Sequence, residues 1–181
     1  MKKLSLLLAA LLILSSTVVS AEWETFKSAD GMYEYTKDGV ITTYYGDEFA
    51  FFPAEIDGTK INEIGVMACF DLGLEAISVA EGIELINTNA FEGCNAESAY
   101  IPSSVKNIGE RAFANCANLN EVTLNSEEIT FDFDVFAGTG FIQFYIPCTA
   151  DEHMMYEKIS DAKGDGNFSF SLMHTALVES M

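Results

Sequence analysis

The sequence predicts an α/β solenoid, in which stacked coils line up a short parallel β-ladder and are closed by helical or irregular return arcs. Five rows of positions carry this reading. Ile64, Ile86 and Ile108 fall 22 residues apart, and so do Ala68, Ala90 and Ala112. Cys69, Phe91 and Phe113 follow one position later, and then Leu72, Cys94 and Cys116. A further row of Val79, Ile101, Leu124 and Ile146 is spaced 22, 23 and 22. A period of this length marks units that bury their apolar faces only against their neighbours in a stack.

The chain opens with Lys2 and Lys3, an apolar run from Leu4 to Leu14 and a small-residue segment ending Val19-Ser20-Ala21. That order is the n-region, h-region and cleavage site of a secretory signal peptide. The run is shorter than the ~20 residues a membrane span needs. Residues 1–21 are therefore expected to be removed near Ala21. The mature protein is expected to be secreted, periplasmic or at the cell surface, with no membrane span.

Residues 22–48 form an expected β cap. Met32, Tyr33, Tyr35, Val40, Ile41, Tyr44 and Tyr45 flank Lys37-Asp38-Gly39, and Asp-Gly between such runs signals a hairpin turn. The repeats span residues 49–147, in about four or five coils. Each coil supplies a strand such as Leu74-x-x-Ile77-x-Val79 or Leu119-x-x-Val122-x-Leu124. Alternation puts Ile77, Val79, Ala99, Ile101, Val122, Leu124, Phe144 and Ile146 inward. In the arcs, Ile108, Ala112 and Phe113 are spaced for a helical turn with one face inward. The fourth arc is irregular, with Phe131, Phe133 and Phe136 in place of Ile-Gly-x-x-Ala-Phe.

Residues 148–181 form the expected C-terminal cap. Thr149-Ala150-Asp151-Glu152 has capping-box spacing, with Thr149 at the N-cap. Tyr156, Ile159 and Ala162 would trace the inward face of a helix ended by Gly164-Asp165-Gly166. Phe168, Phe170 and Leu172 alternate as a last strand.

The string Ile101-Pro102-x-x-Val105-x-x-Ile108-Gly109-x-x-Ala112-Phe113-x-x-Cys116-x-x-Leu119 resembles the BspA-like (Treponema pallidum-type) leucine-rich repeat. The segment Phe52-Pro53-x-x-Ile56-Asp57-Gly58-x-x-Ile61-x-x-Ile64-Gly65 resembles that family's first coil. The resemblance implies an exported leucine-rich-repeat protein linked to adhesion and host-matrix binding, with no catalytic residues and no cofactor. Cys69 departs from the pattern by standing in the Phe position, which leaves its coil less well filled.

Composition narrows the partners. Nine basic residues face 28 acidic ones, a formal charge of −19. A surface of that sign repels phosphate backbones and sulfated sugars, so nucleic acid is not an expected partner. The acids stand singly in turns, as Glu81, Glu84, Glu92 and Glu110 do, and read as solvated positions.

Four cysteines in an exported chain raise a disulfide framework. Cys94 and Cys116 hold equivalent places in adjacent coils, within reach of a bridge. Stacked equivalent side chains point the same way rather than at each other, which favours small buried thiols. Cys69 and Cys148 have no obvious partner. His153 and His174 lie in the C-terminal cap without a nucleophile signature. Asp161-x-x-x-Asp165-Gly166-Asn167 lacks the alternating ligands of a calcium loop and reads as a helix-ending turn, so no metal site is expected.

The remaining candidate is a concave face formed by the outward positions of the ladder, namely Phe51, Ser78, Ser98, Tyr100, Glu121, Thr123, Gln143 and Tyr145, with Ala76 beside them. Concave repeat surfaces bind partners, and aromatics there act as hot spots. The sequence thus points to a monomeric, non-catalytic binding module for protein or glycan recognition. The alternatives are a structural or self-associating envelope protein, or an enzyme with its site in the C-terminal cap.

Overall fold

The computed structural model describes residues 24–164 and 167–173. The proposed signal segment and His174 lie outside them, as do Asp165 and Gly166 of the turn after the helix. In chain order the elements are β1 (Thr25–Lys27), β2 (Tyr33–Thr36), β3 (Val40–Tyr44), β4 (Phe49–Phe52), β5 (Glu55–Ile56), β6 (Thr59–Lys60) and β7 (Glu63–Ile64). They continue as β8 (Ala76–Val79), β9 (Leu85–Ile86), β10 (Ser98–Ile101), β11 (Asn107–Ile108), β12 (Glu121–Leu124), β13 (Thr130–Phe131), β14 (Ile142–Pro147), helix α1 (Glu152–Lys163) and β15 (Phe168–Met173).

Two ladders run along the stack. The longer strands form a six-stranded parallel sheet in the order β15-β14-β12-β10-β8-β4. The short strands β7, β9, β11 and β13 form the second ladder, which β3 joins in parallel and the hairpin β2–β3 extends through antiparallel β1. The turn of that hairpin is Lys37-Asp38-Gly39, where Gly39 takes φ 87. The chain passes from one ladder to the other and back in about six turns.

The arcs are not helical. Ile64, Ile86, Ile108 and Phe131 are strand residues in parallel register, each beside the next. The turns after them follow one rule. Asn89, Phe91 and Gly93 donate their N–H groups to Glu110, Ala112 and Ala114 of the next coil at 2.8–3.0 Å. Ala90, Glu92 and Cys94, alternating with them, donate to Asn87, Asn89 and Phe91 of their own coil. Every second amide thus faces the neighbour, which a helix, with all its amides directed along its own axis, does not allow. The alternation needs left-handed residues four apart. Asn89 (φ 58) and Gly93 (φ 77) supply them in one coil, and Arg111 (φ 55) and Asn115 (φ 59) in the next. Asn and Gly suit that region, whereas Arg111 is held there by its coil.

The inward positions of the long strands, Ile77, Val79, Ala99, Ile101, Val122, Leu124, Phe144 and Ile146, are all buried, as are Ala68, Ala90 and Ala112. A column of rings runs through this core. Phe91 stacks on Phe113 at 5.1 Å between centroids, and Phe113 stacks on Phe136 at 5.6 Å. Phe136 meets Phe144 edge-on, and Phe144 meets Phe168. At the other end Phe52 reaches Phe91 at 5.3 Å and also meets Tyr44. Cys69, which stands at the rung without a ring, is fully buried.

All four cysteines are free thiols, so Cys94 and Cys116 are not bridged. Each points back along the stack, Cys94 Sγ donating to the Cys69 carbonyl at 3.0 Å and Cys116 Sγ to the Phe91 carbonyl at 3.1 Å. Burial pushes both thiols up to about 12, and burial raises Cys69 as well. The protonated thiol is a poor nucleophile. Alkylation of the folded chain, read by mass spectrometry, is therefore expected to label exposed Cys148 alone. Unfolding without reductant should release three more labels, and a total of two would establish a bridge.

The C-terminal cap departs from expectation in register. The helix N-cap is Asp151, whose carboxylate accepts from the Met154 N–H at 3.0 Å. Thr149 instead donates its hydroxyl to Glu127, because the turn closed by the Ala150 N–H on the Pro147 carbonyl holds it outside the helix. The inward face is Met155, Ile159 and Ala162, whereas Tyr156 is 49% exposed. Its ring still packs on Phe168 at 5.3 Å. Gly164, at φ 77, ends the helix.

Candidate binding face

The outward positions of the six-stranded ladder form two continuous rows. Phe51, Ser78, Tyr100, Thr123, Tyr145 and Ser171 are register partners in succession from β4 to β15. Phe49, Ala76, Ser98, Glu121, Gln143 and Ser169 make the second row in the same way. All eight residues expected from the sequence thus lie on one face.

Three contributors escape the sequence reading. Phe49, 65% exposed, lies two residues before Phe51 on the same strand and therefore on the same side. Ser169 and Ser171 join because β15 docks in parallel beside β14 and prolongs both rows. The alternation of Phe168, Phe170 and Leu172 was the available signal for them.

Across these two rows of described residues Glu121 is the single charge, in a chain with 28 acids. The rest is aromatic rings, hydroxyls, one amide and the methyl group of Ala76. Several groups are already fixed in place. Asn125 Nδ2 donates to the Tyr100 hydroxyl at 2.6 Å. Gln143 accepts from the Ser169 hydroxyl, and its amide nitrogen donates to the Phe144 carbonyl at 3.0 Å. A hollow of about 220 Å³ opens beside Tyr100 at the carboxyl ends of the strands, with Asn125, Pro147 and Met173 in its wall.

The acids expected as solvated turn positions divide into two kinds. Glu84 and Glu110 are exposed. Glu92 is buried, and its carboxylate accepts from Arg111 and Asn115 of the next coil and from Asn89 of its own. Glu81 accepts from the backbone and hydroxyl of Ser103 at 2.9 Å and from the Ser104 N–H at 3.1 Å. Both tie neighbouring coils together. The bond from Arg111 does most to hold Glu92 below the usual carboxylate range. Burial raises Glu81, but the hydrogen bonds it accepts from Ser103 and Ser104 outweigh it.

A carboxylate lowered on folding stabilises above its unfolded pKa, and that stability is lost as pH falls through its folded value. Glu92→Gln is expected to cost about 2 kcal/mol at pH 7 by removing a charge-assisted hydrogen bond. The gap from wild type should begin to close below about pH 4.5, where the unfolded-state carboxyl starts to take up its proton, and close fully once the folded-state carboxyl is protonated too. Urea midpoints measured at pH 7 and pH 3 check this, and an unchanged gap would contradict it.

His153 is exposed on α1 and sits 3.6 Å from Glu157 one turn on, not in a cleft with a nucleophile. Among the described residues no helix is long and apolar enough to cross a membrane.

A family model described as the BspA type leucine rich repeat region matches residues 48–156 in six copies. No curated protein matches the chain. Among solved structures, a leucine-rich repeat protein of T. pallidum aligns at 19% identity and TM-score 0.42, over 68% of this chain and 69% of that one. A leucine-rich repeat protein from Bacteroides capillosus aligns at 19% identity and TM-score 0.39, over 81% of this chain and 98% of the other. The pneumococcal vaccine antigen PcpA aligns at 12% identity and TM-score 0.44, over 82% of this chain, which spans 46% of that protein.

Proposed function

The chain belongs to the BspA-type leucine-rich repeat family, and from that premise we propose that it is an exported, non-catalytic binding module that engages an extended partner through the outward face of its six-stranded ladder. Proteins of this family are generally non-catalytic repeat scaffolds that mediate interactions. The observation that carries the choice of face is the pair of unbroken rows, rich in rings and almost free of charge, on a protein that is otherwise strongly acidic. Export rests on the n-region, h-region and cleavage site at residues 1–21.

Truncating Phe51, Tyr100 and Tyr145 together to Ala should abolish binding of the labelled 22–181 chain to host-matrix and envelope fractions, since central aromatics each contribute about 1–2 kcal/mol or more. The thermal transition should persist, because all three face outward. Exposed Glu110→Lys is the control and should change binding little in physiological salt. Glu92 is unsuitable as a control because it joins two coils. Binding that survives the triple change but fails on Glu110→Lys would move the site to the turns.

A further inference from the structure

Resting on the face proposed above, the geometry points to a specific ligand chemistry: we propose that the row takes a neutral, extended β-1,4-linked glycan laid along the stacking axis, with Phe51, Tyr100 and Tyr145 stacking on every second sugar. The register makes the row alternate between ring and hydroxyl: Phe51, Ser78, Tyr100, Thr123, Tyr145, Ser171. Neighbouring parallel strands lie 4.7–4.9 Å apart, so successive rings stand about 9.5 Å apart along the axis. An extended β-1,4-linked chain turns each sugar half over relative to the last. It therefore presents the same face at every second sugar, and its disaccharide repeat is close to that spacing. Each ring meets the axial C–H face of one sugar, and the next sugar lies over a serine or threonine hydroxyl.

The charge pattern selects the same chemistry. Glu121 is the single charge on the two rows, so the face offers nothing to pair with an ionic ligand, and the chain's net charge of −19 repels polyanionic glycans. An extended peptide is less well served. Strands bind peptides by backbone pairing at a sheet edge, and here the backbones of the interior strands are already paired on both sides. Sugars instead need hydroxyl and amide partners, which Ser98, Gln143 and Ser169 place beside the rings. The ring of Tyr100 is held in advance by Asn125, which lowers the entropy lost on binding. Three weak stacking contacts on one stiff polymer then add as a multivalent attachment.

The test uses the 22–181 chain with microcrystalline cellulose and chitin, and by calorimetry with cellohexaose and chitohexaose. Curdlan and amylose serve as controls, because their coiled chains do not repeat at the ring spacing. Retention is expected on at least one β-1,4-linked polymer and on neither control. Each of Phe51→Ala, Tyr100→Ala and Tyr145→Ala should weaken hexaose binding by about tenfold. Tyr100→Phe, which keeps the ring, should retain most of it, and circular dichroism confirms that each variant is folded. Failure to bind either β-1,4-linked polymer, or equal binding to curdlan and amylose, overturns the glycan assignment. If the triple variant still loses capture of a cross-linked protein partner in that case, the face stands with a protein ligand. Hexaose binding that survives all three truncations overturns the face itself.

Discussion

Phe113→Ala is expected to lower the unfolding free energy by about 3–5 kcal/mol, the sum of lost transfer energy and the cavity left in a rigid core. Phe113 is fully buried and lies between two nearly parallel rings, Phe91 at 5.1 Å and Phe136 at 5.6 Å. The two flanking rings are themselves held from their far sides by Phe52 and Phe144, which limits their collapse into the space. A repeat stack transmits the loss in a second way. Its stability is the sum of coils and of the interfaces between them, and this residue belongs to two central interfaces. Urea denaturation should therefore show a lower midpoint together with a broader transition, as the halves on either side begin to unfold separately. A loss under about 1 kcal/mol with an unchanged slope would contradict the ring column.

The parts of the fold legible in the sequence are those in which one residue type repeats at one position. The rows of isoleucine, alanine and phenylalanine at a period of 22 to 23 gave the stacking and the inward face of every long strand, because burial in a solenoid acts on each coil alike. The arc was misread for a definite reason. Ile108, Ala112 and Phe113 fit a helical face by spacing alone, and spacing does not reveal where the amides go. The signal that could decide it is the recurrence of Asp71, Gly93, Asn115 and Gly138, residue types that accept positive φ, at one place in each arc. Glu92 reads as a solvated acid in the sequence because its three donors, Asn89, Arg111 and Asn115, become neighbours only when coils stack. The helix face shifted by one residue, from Tyr156 to Met155, since an amphipathic period does not distinguish two adjacent apolar residues until the cap fixes the phase. On the binding face, alternation placed Phe51, Tyr100 and Tyr145 on one side, and only the docking of β15 extended the rows to Ser169 and Ser171.

A large effect is also expected at Gly109, a position that acts through its backbone alone. Its φ does not demand glycine; the space does. A Cβ at this position would stand 2.7 Å from the Thr88 nitrogen and 2.8 Å from the Asn87 carbonyl carbon, both backbone atoms of the preceding coil. The Gly109 N–H also donates to the Ile86 carbonyl at 2.7 Å, so the two coils are pinned at the very place where the side chain would intrude. Neither neighbour can rotate away as a side chain could, and relief requires the coils to separate and lengthen that bond. Gly109→Val is expected to cost about 3 kcal/mol, toward the upper end of overpacking. Gly73 has open space around its Cβ position and gives the matched control, for which Gly73→Val should change the urea midpoint little. Comparable losses at the two positions would mean that glycine matters here through chain flexibility, and the close approach of the second ladder to the arc would have to be abandoned as the cause.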